Sequence, residues 1–182
     1  MLTFESFASG SAGNLYRVTA DGHPPLLIEA GVAYKALQRA VGFGVTQVAG
    51  CLVSHAHLDH SRAVEYLVAQ AVPVYTGRET AEAILERGHH NLHAVDAGQE
   101  FQIGPWTVLP FDLVHDVPCL GFLVVSRAGE KLLYISDTAY CEYRFENVAI
   151  AAVEANYSRG ILDRLVDNGT LNQHHAARVI RN

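Results

Sequence analysis

Cysteine is scarce and unpaired in this sequence: Cys51, Cys119 and Cys141 make an odd count with no CxxC spacing. That argues against a disulfide framework and against a cysteine zinc knuckle, and it fits a reducing, cytoplasmic setting. Long apolar runs are missing. Nothing approaches the ~20 residues that span a bilayer, and the opening MLTFESFASGSAGN has neither the basic start nor the apolar centre of a signal peptide. A soluble protein with no membrane partner is expected. Positive charge is also short, with 13 Lys and Arg against 19 Asp and Glu for a formal charge of −6. No overall basic field draws in nucleic acid, so any affinity for phosphate has to be built at a local site. Linkers, repeats and low-complexity stretches are absent as well. With 182 residues at 49% hydrophobic content, the chain can bury one substantial core, and a single domain over residues 1–182 is expected.

What is present is an alternation of strand and helix patterns. Strands are expected at Leu2–Phe7, Leu15–Thr19, Leu26–Glu29, Ala49–Val53, Val72–Tyr75, Thr107–Phe111, Phe122–Ser126, Leu132–Ile135 and Ala149–Val153. Helices are expected at Tyr34–Val41, Arg62–Ala71, Thr80–Arg87, Ile161–Val166 and Gln173–Ile180. The turn ADGHPP and the turn RAGEK mark hairpins near the start and in the middle. Hairpins mixed with crossover helices disfavour a purely parallel sheet and suit two mixed sheets packed together.

Residues 54–60, SHAHLDH, concentrate His55, His57, Asp59 and His60 directly after the buried-strand run VAGCLVS and before the helical pattern SRAVEYLVAQA. The cluster therefore sits on a strand-to-helix turn, where α/β folds gather functional groups. Three imidazoles crowded there cost desolvation and repel one another on protonation unless a cation organises them. Histidine nitrogens with carboxylate oxygens at this spacing suit zinc, manganese or iron.

HAHLDH matches the HxHxDH signature of the metallo-β-lactamase-fold hydrolases. FASGSAGN near the start, HDVPCLGF (His115 to Phe122), YISDTAY (Tyr134 to Tyr140) and VEANY (Val153 to Tyr157) resemble, in that order, segments of the YycJ/WalJ-like and phage-encoded branch of that family. The resemblance spans nearly the whole chain. It implies an α/β fold, the αββα four-layer sandwich, with two mixed β-sheets flanked by helices and a metal site at one edge. It further implies that His55, His57 and His115 hold a first metal, that Asp59 and His60 hold a second, and that Asp137 bridges the pair. Asp59 and Asp137 are then the carboxylates on which catalysis depends. The implied cofactor is Zn2+, or Mn2+ or Fe2+, up to two ions. Two such ions held ~3.5–4 Å apart can generate a hydroxide nucleophile at neutral pH. The family also carries a His-Leu/Met-Ser motif after its last helix, which adds a histidine to the second site. That motif does not occur by Asn182. His174 and His175 belong by pattern to the helix before it, and helical spacing turns adjacent residues ~100° apart, so at most one can face inward. The second site is therefore expected to be incomplete.

Other groups carry weaker signals. GHHNLH brings His89, His90 and His93 together, which a solvated helix end explains as well as a metal does. SGSAGN can cradle a phosphate through backbone N–H groups or simply make a tight turn that Asn14 closes. Asp116 can orient the neighbouring His115 or face water. Asp137 ends a strand, where a carboxylate serves as a ligand or caps a following helix. Glu154 and Asn156 resemble the family's acidic-Ala-Asn segment and are expected to support the site without ligating.

Two classes of function fit these residues. The first is a metal-dependent hydrolase, a phosphodiesterase and by resemblance a DNA exonuclease, acting on DNA or another phosphodiester through the hydroxide made at the metals. The same fold also serves lactone, thioester and β-lactam hydrolysis. The second class is a metal-poor, non-catalytic binding or regulatory module, which the incomplete second site motivates.

Overall fold

The computed structural model describes residues 1–154, 159–170 and 172. Its first sheet has six strands in sequence order: β1 (Thr3–Ala8), β2 (Leu15–Thr19), β3 (Leu26–Ile28), β4 (Gly50–Leu52), β5 (Val74–Gly77) and β6 (Leu92–Val95). β1 to β3 are antiparallel neighbours, and β3 to β6 run parallel. The crossovers between the parallel strands hold α1 (Tyr34–Ala40), α2 (Leu58–Ser61), α3 (Val64–Ala69) and α4 (Arg78–Ile84). The second sheet is an antiparallel meander of β7 (Phe101–Ile103), β8 (Trp106–Leu113), β9 (Cys119–Val125) and β10 (Lys131–Ile135). β11 (Val148–Val153) adds to it parallel to β10, and α5 (Arg159–Asp167) follows. Two mixed sheets with flanking helices are thus observed, as the pattern of hairpins and crossovers implied.

Strand alternation assigns the layers. Leu26, Ile28 and Leu52 point between the sheets, where they meet Trp106, Phe122, Val124 and Leu132, all of them fully buried. Leu27, Cys51 and Val53 point to the opposite face and pack against Leu37, Val64 and Leu67 of the helices. Trp106 fastens the layers further by donating its indole N–H to the Pro24 carbonyl at 2.9 Å. On the outer face of the second sheet, Phe111 is covered by Phe145 and Tyr143.

Two edge-side strands and one helix depart from the sequence expectation. β6 and β7 are four and three residues long, too short for a period-2 pattern to stand out, and β6 reads LHAV, next to a histidine-rich turn. α2 is a single turn made of the HxHxDH residues themselves, so it has no apolar period to announce it. The expected helix Gln173–Ile180, with His174 and His175, lies outside the described residues, as does Asn156.

Candidate metal centre

One end of the sandwich gathers loops from both sheets. After β4 the chain runs through Ser54 and His55 into α2, and this segment is clasped from two sides by backbone hydrogen bonds. The N–H of Asn14 donates to the Asp59 carbonyl at 2.7 Å, that of Ala30 to the His60 carbonyl at 2.8 Å, and that of Gly31 to the Asn14 carbonyl at 2.9 Å. The approach is so close that a Cβ on Gly31 would lie 1.5 Å from the Asp59 carbonyl oxygen. Only glycine fits there.

The second sheet contributes His115, just beyond the end of β8, and Asp137, just beyond β10. The two turns are tied together: the Val114 N–H donates to Thr138 Oγ1 at 3.1 Å, and the Ala139 N–H to the Val114 carbonyl at 2.9 Å. No helix follows Asp137 before β11, so it caps nothing. Its φ is +35°, a left-handed conformation that aspartate tolerates better than most residues. Glu154 holds that turn, its Oε2 accepting from the Asp137 N–H at 3.0 Å and the Ser136 hydroxyl at 3.1 Å.

His55, His57, His115 and Asp137 each offer one ligand atom, and the four atoms lie within 4.8 Å of one another. His57 Nδ1 is 3.0 Å from His55 Nε2 and 3.4 Å from His115 Nε2. Asp137 Oδ2 is 3.5 Å from His55 Nε2 and 3.9 Å from His115 Nε2. Ligands ~2.0–2.1 Å from a tetrahedral zinc sit roughly 3.3 Å apart, so the spacing fits one first-row cation. His55 Nδ1 lies 2.9 Å from the buried Ser54 hydroxyl, which leaves Nε2 to face the cluster.

His60 faces the same carboxylate from the other side. Its Nε2 is 3.2 Å from Asp137 Oδ2 and 3.6 Å from Asp59 Oδ2. A single oxygen, Asp137 Oδ2, is therefore shared by the His55 and His60 donor sets. Behind the ring, His60 Nδ1 lies 3.3 Å from Oε1 of Glu29, a carboxylate with no solvent exposure. Asn14 Oδ1 accepts from the Gly10 N–H and from the Tyr16 hydroxyl, which turns its amide nitrogen toward His60 Nε2 at 3.0 Å and the Asp59 carbonyl at 3.2 Å. Asn14 thus closes the SGSAGN turn and reaches the cluster as well.

The electrostatics of the metal-free site call for positive charge. Burial and the neighbouring His60 pull the His55 pKa down to about 2. On His60 burial opposes the charge, but Glu29 and Asp137 outweigh it and lift the pKa to about 10. Asp137 is held below the usual carboxylate range, since His60 and Glu154 overcome the effect of burial. Burial and Asp137 raise Glu154 to about 7. The Asn14 amide donates best into an unprotonated Nε2, whereas the carboxylates favour imidazolium. A cation on Nε2 satisfies the carboxylates without a proton there, and Asn14 keeps its bond to the Asp59 carbonyl. The cluster therefore calls for a cation chemically, and the set of His55, His57, His115 and Asp137 fits one sterically.

The remaining candidates separate. Asp116 Oδ1 sits 3.0 Å from His115 Nε2 and 3.6 Å from His57 Nε2, on the cluster side of His115, while His115 Nδ1 is buried with no hydrogen-bond partner among the described residues. His89, His90 and His93 join no metal-competent group among the described residues: His89 Nδ1 accepts from the Asn91 N–H, and His93 stacks on Tyr75. Glu29 and Ser54 were not legible as site residues. A carboxylate ending the apolar run LLIE was the one available hint for Glu29.

Comparison with known proteins is consistent with this architecture. Residues 26–182 match the family model described as the Beta-lactamase superfamily domain. An exodeoxyribonuclease YycJ from Bacillus anthracis is 30% identical over 159 residues, covering 81% of this chain and 58% of that protein. Two solved structures share the fold. Human tRNase Z, short form, superposes with a TM-score of 0.66 at 16% identity over 97% of this chain and 86% of its own. The metallo-β-lactamase fold protein YhfI from Bacillus subtilis gives 0.59 at 22% identity over 74% and 59%. The chain thus spans about three fifths of the length of YycJ and of YhfI.

Proposed function

The chain belongs to the β-lactamase superfamily, and from that premise we propose that its histidine–aspartate centre serves a metal-dependent phosphodiesterase acting on nucleic acid. The observation that carries the reading is the shared oxygen of Asp137, set between the first donor group of His55, His57 and His115 and the second of His60 and Asp59. A carboxylate oxygen shared in this way would suit two cations rather than one. Bound there, Zn2+, Mn2+ or Fe2+ would supply Lewis acidity toward the phosphoryl oxygens and lower the pKa of a water.

The chain's own residues then have definite tasks. Ser54 and Glu29 fix the orientation of His55 and His60, and Glu154 fixes that of Asp137. Asp59, more open to solvent than Asp137, would take up the proton of an attacking water on Oδ1, since its Oδ2 faces His60. With a formal charge of −6, the protein has to attract a phosphodiester through the centre itself, and the similarity to a protein named an exodeoxyribonuclease supports this substrate class. The reading is tested by elemental analysis of the purified chain beside assays on linear double-stranded DNA and bis-p-nitrophenyl phosphate. Metal-dependent cleavage of both, lost in His115→Ala, is expected. Hydrolysis of lactones, thioesters or β-lactams with no action on either phosphodiester would replace the proposal.

A further inference from the structure

Beside the metal centre, at the open edge between the sheets, lies a pocket of about 210 Å³ whose walls include Phe4, Ser6, Ser9, Tyr16, Val153 and Glu154. That is below the ~300–1,000 Å³ typical of drug-sized ligands and suits one flat ring system. Its walls combine two chemistries. The Phe4 and Tyr16 rings stack on each other at 5.2 Å and 21°, and Val153 is left 57% exposed at the rim. Against these apolar surfaces stand the hydroxyls of Ser6 and Ser9 and the carboxylate of Glu154.

Both polar walls are connected to the centre. Glu154 Oε2 is committed to the Asp137 N–H and the Ser136 hydroxyl, while no N–H or O–H among the described residues donates to Oε1. The Tyr16 hydroxyl lies 3.0 Å from Ser9 Oγ and 3.1 Å from Asn14 Oδ1, and the amide of Asn14 touches His60. A ligand here therefore rests against residues that hold the bridging Asp137 on one side and His60 on the other.

We propose that this pocket is a nucleobase subsite, taking the base of the nucleotide next to the phosphodiester and favouring bases with an exocyclic amino group. The inference rests on the phosphodiesterase reading for its place in a reaction, and on the pocket alone for the binding. Aromatic and apolar walls accept the π-face of any base. When ionised, Glu154 then discriminates: adenine, cytosine and guanine offer an amino N–H to its Oε1, as carboxylates accept from cytosine N4 elsewhere. Thymine and uracil present one N–H between two carbonyl oxygens that repel it.

The test uses the full chain with its metal. Ser6 faces the pocket on edge strand β1, paired with Tyr16, whereas Glu5 alternates to the other face beside Arg17. Ser6→Phe should fill the pocket, and Glu5→Phe places the same ring on the same strand outside it. By saturation-transfer NMR, adenosine, cytidine and guanosine should bind the wild type more tightly than thymidine and uridine, and Ser6→Phe should weaken adenosine at least about tenfold relative to Glu5→Phe. In kinetics, Ser6→Phe should raise KM for the p-nitrophenyl ester of adenosine 5′-monophosphate about tenfold more than KM for bis-p-nitrophenyl phosphate. Equal binding of all five nucleosides, or equal effects on the two esters, would overturn the subsite. If the wild type cleaves neither ester, the phosphodiesterase reading fails instead, and the nucleoside measurements still decide the pocket.

Discussion

Gly31→Ala is the substitution by which the scaffold of the centre is best tested. A Cβ at this position would lie 1.5 Å from the Asp59 carbonyl oxygen, 2.0 Å from its carbon and 2.7 Å from the His60 nitrogen. All three are backbone atoms, so no rotamer change relieves the clash and the two segments have to part. Parting sacrifices at least the bonds from the Asn14 N–H to the Asp59 carbonyl and from the Ala30 N–H to the His60 carbonyl. Counting one unpaired buried N–H for each broken bond at ~1–3 kcal/mol gives roughly 2–6 kcal/mol for the two, against a total stability of ~5–15 kcal/mol for a domain. With a mid-range urea m-value of ~2 kcal/mol/M, the unfolding midpoint should fall by about 1–3 M. The same displacement moves Asp59 and His60 while leaving His115 and Asp137 on the other sheet. Calorimetric titration of the chelator-stripped variant should therefore lose its weaker metal-binding event first. A variant with the wild-type midpoint and unchanged titration would show that the close approach of these loops does not organise the site.

Asp137→Asn keeps a residue that tolerates the left-handed backbone but removes the shared charge, so elemental analysis should show loss of both ions, whereas Asp59→Asn should deplete only the second. The first donor group has four members and the second has His60, Asp59 and the shared Asp137 among the described residues; two equally tight events in the wild type would contradict that ranking. Ser54→Ala removes the closer partner of His55 Nδ1, leaving Cys119 Sγ at 3.7 Å, and should weaken the tighter metal by ~10–100-fold, measured by competition with a chromophoric chelator. For pH, His60 rises from 6.5 to about 10 in the folded, metal-free chain. Its stabilisation is complete below 6.5 and is lost as pH climbs, because the unfolded chain releases the proton first. Urea unfolding should show a loss of about 2 kcal/mol between about pH 6.5 and 8, and His60→Gln should abolish that slope. Glu154, raised from 4.5 to about 7, adds a loss in the same direction mainly below this window.

The parts of this molecule legible in its sequence are those whose signal is local. SHAHLDH announces itself because four ligand-type side chains fall within six positions after a buried strand, whereas His115 and Asp137 were reached through the family resemblance of HDVPCLGF and YISDTAY. The pairing of two mixed sheets was legible from hairpins mixed with crossover helices, but the face each residue takes was not, because β3 reads LLI and is apolar throughout while Leu26 and Ile28 point one way and Leu27 the other. β7 and α2 escaped, since three strand residues and a single helical turn are too short for their period to repeat.

What could not be read locally depends on contacts between distant segments. Glu29 looks in sequence like a polar residue closing a strand. It becomes the buried partner of His60 only because β3 and β4 pair in parallel and the turn after β4 folds back over the one after β3. That packing requires Gly31 two residues later, where the clash would fall. It also places Glu29 on backbone with φ of +63°, a conformation that costs an ordinary residue of order 1 kcal/mol. The cost is offset where the carboxylate sets the charge of an imidazole on the bridging oxygen. Glu29→Gln removes that charge and keeps the shape. It should thus lower the affinity of the His60 site for a cation by ~10–100-fold while leaving the fold in place, and unchanged affinity would reduce Glu29 to a packing residue.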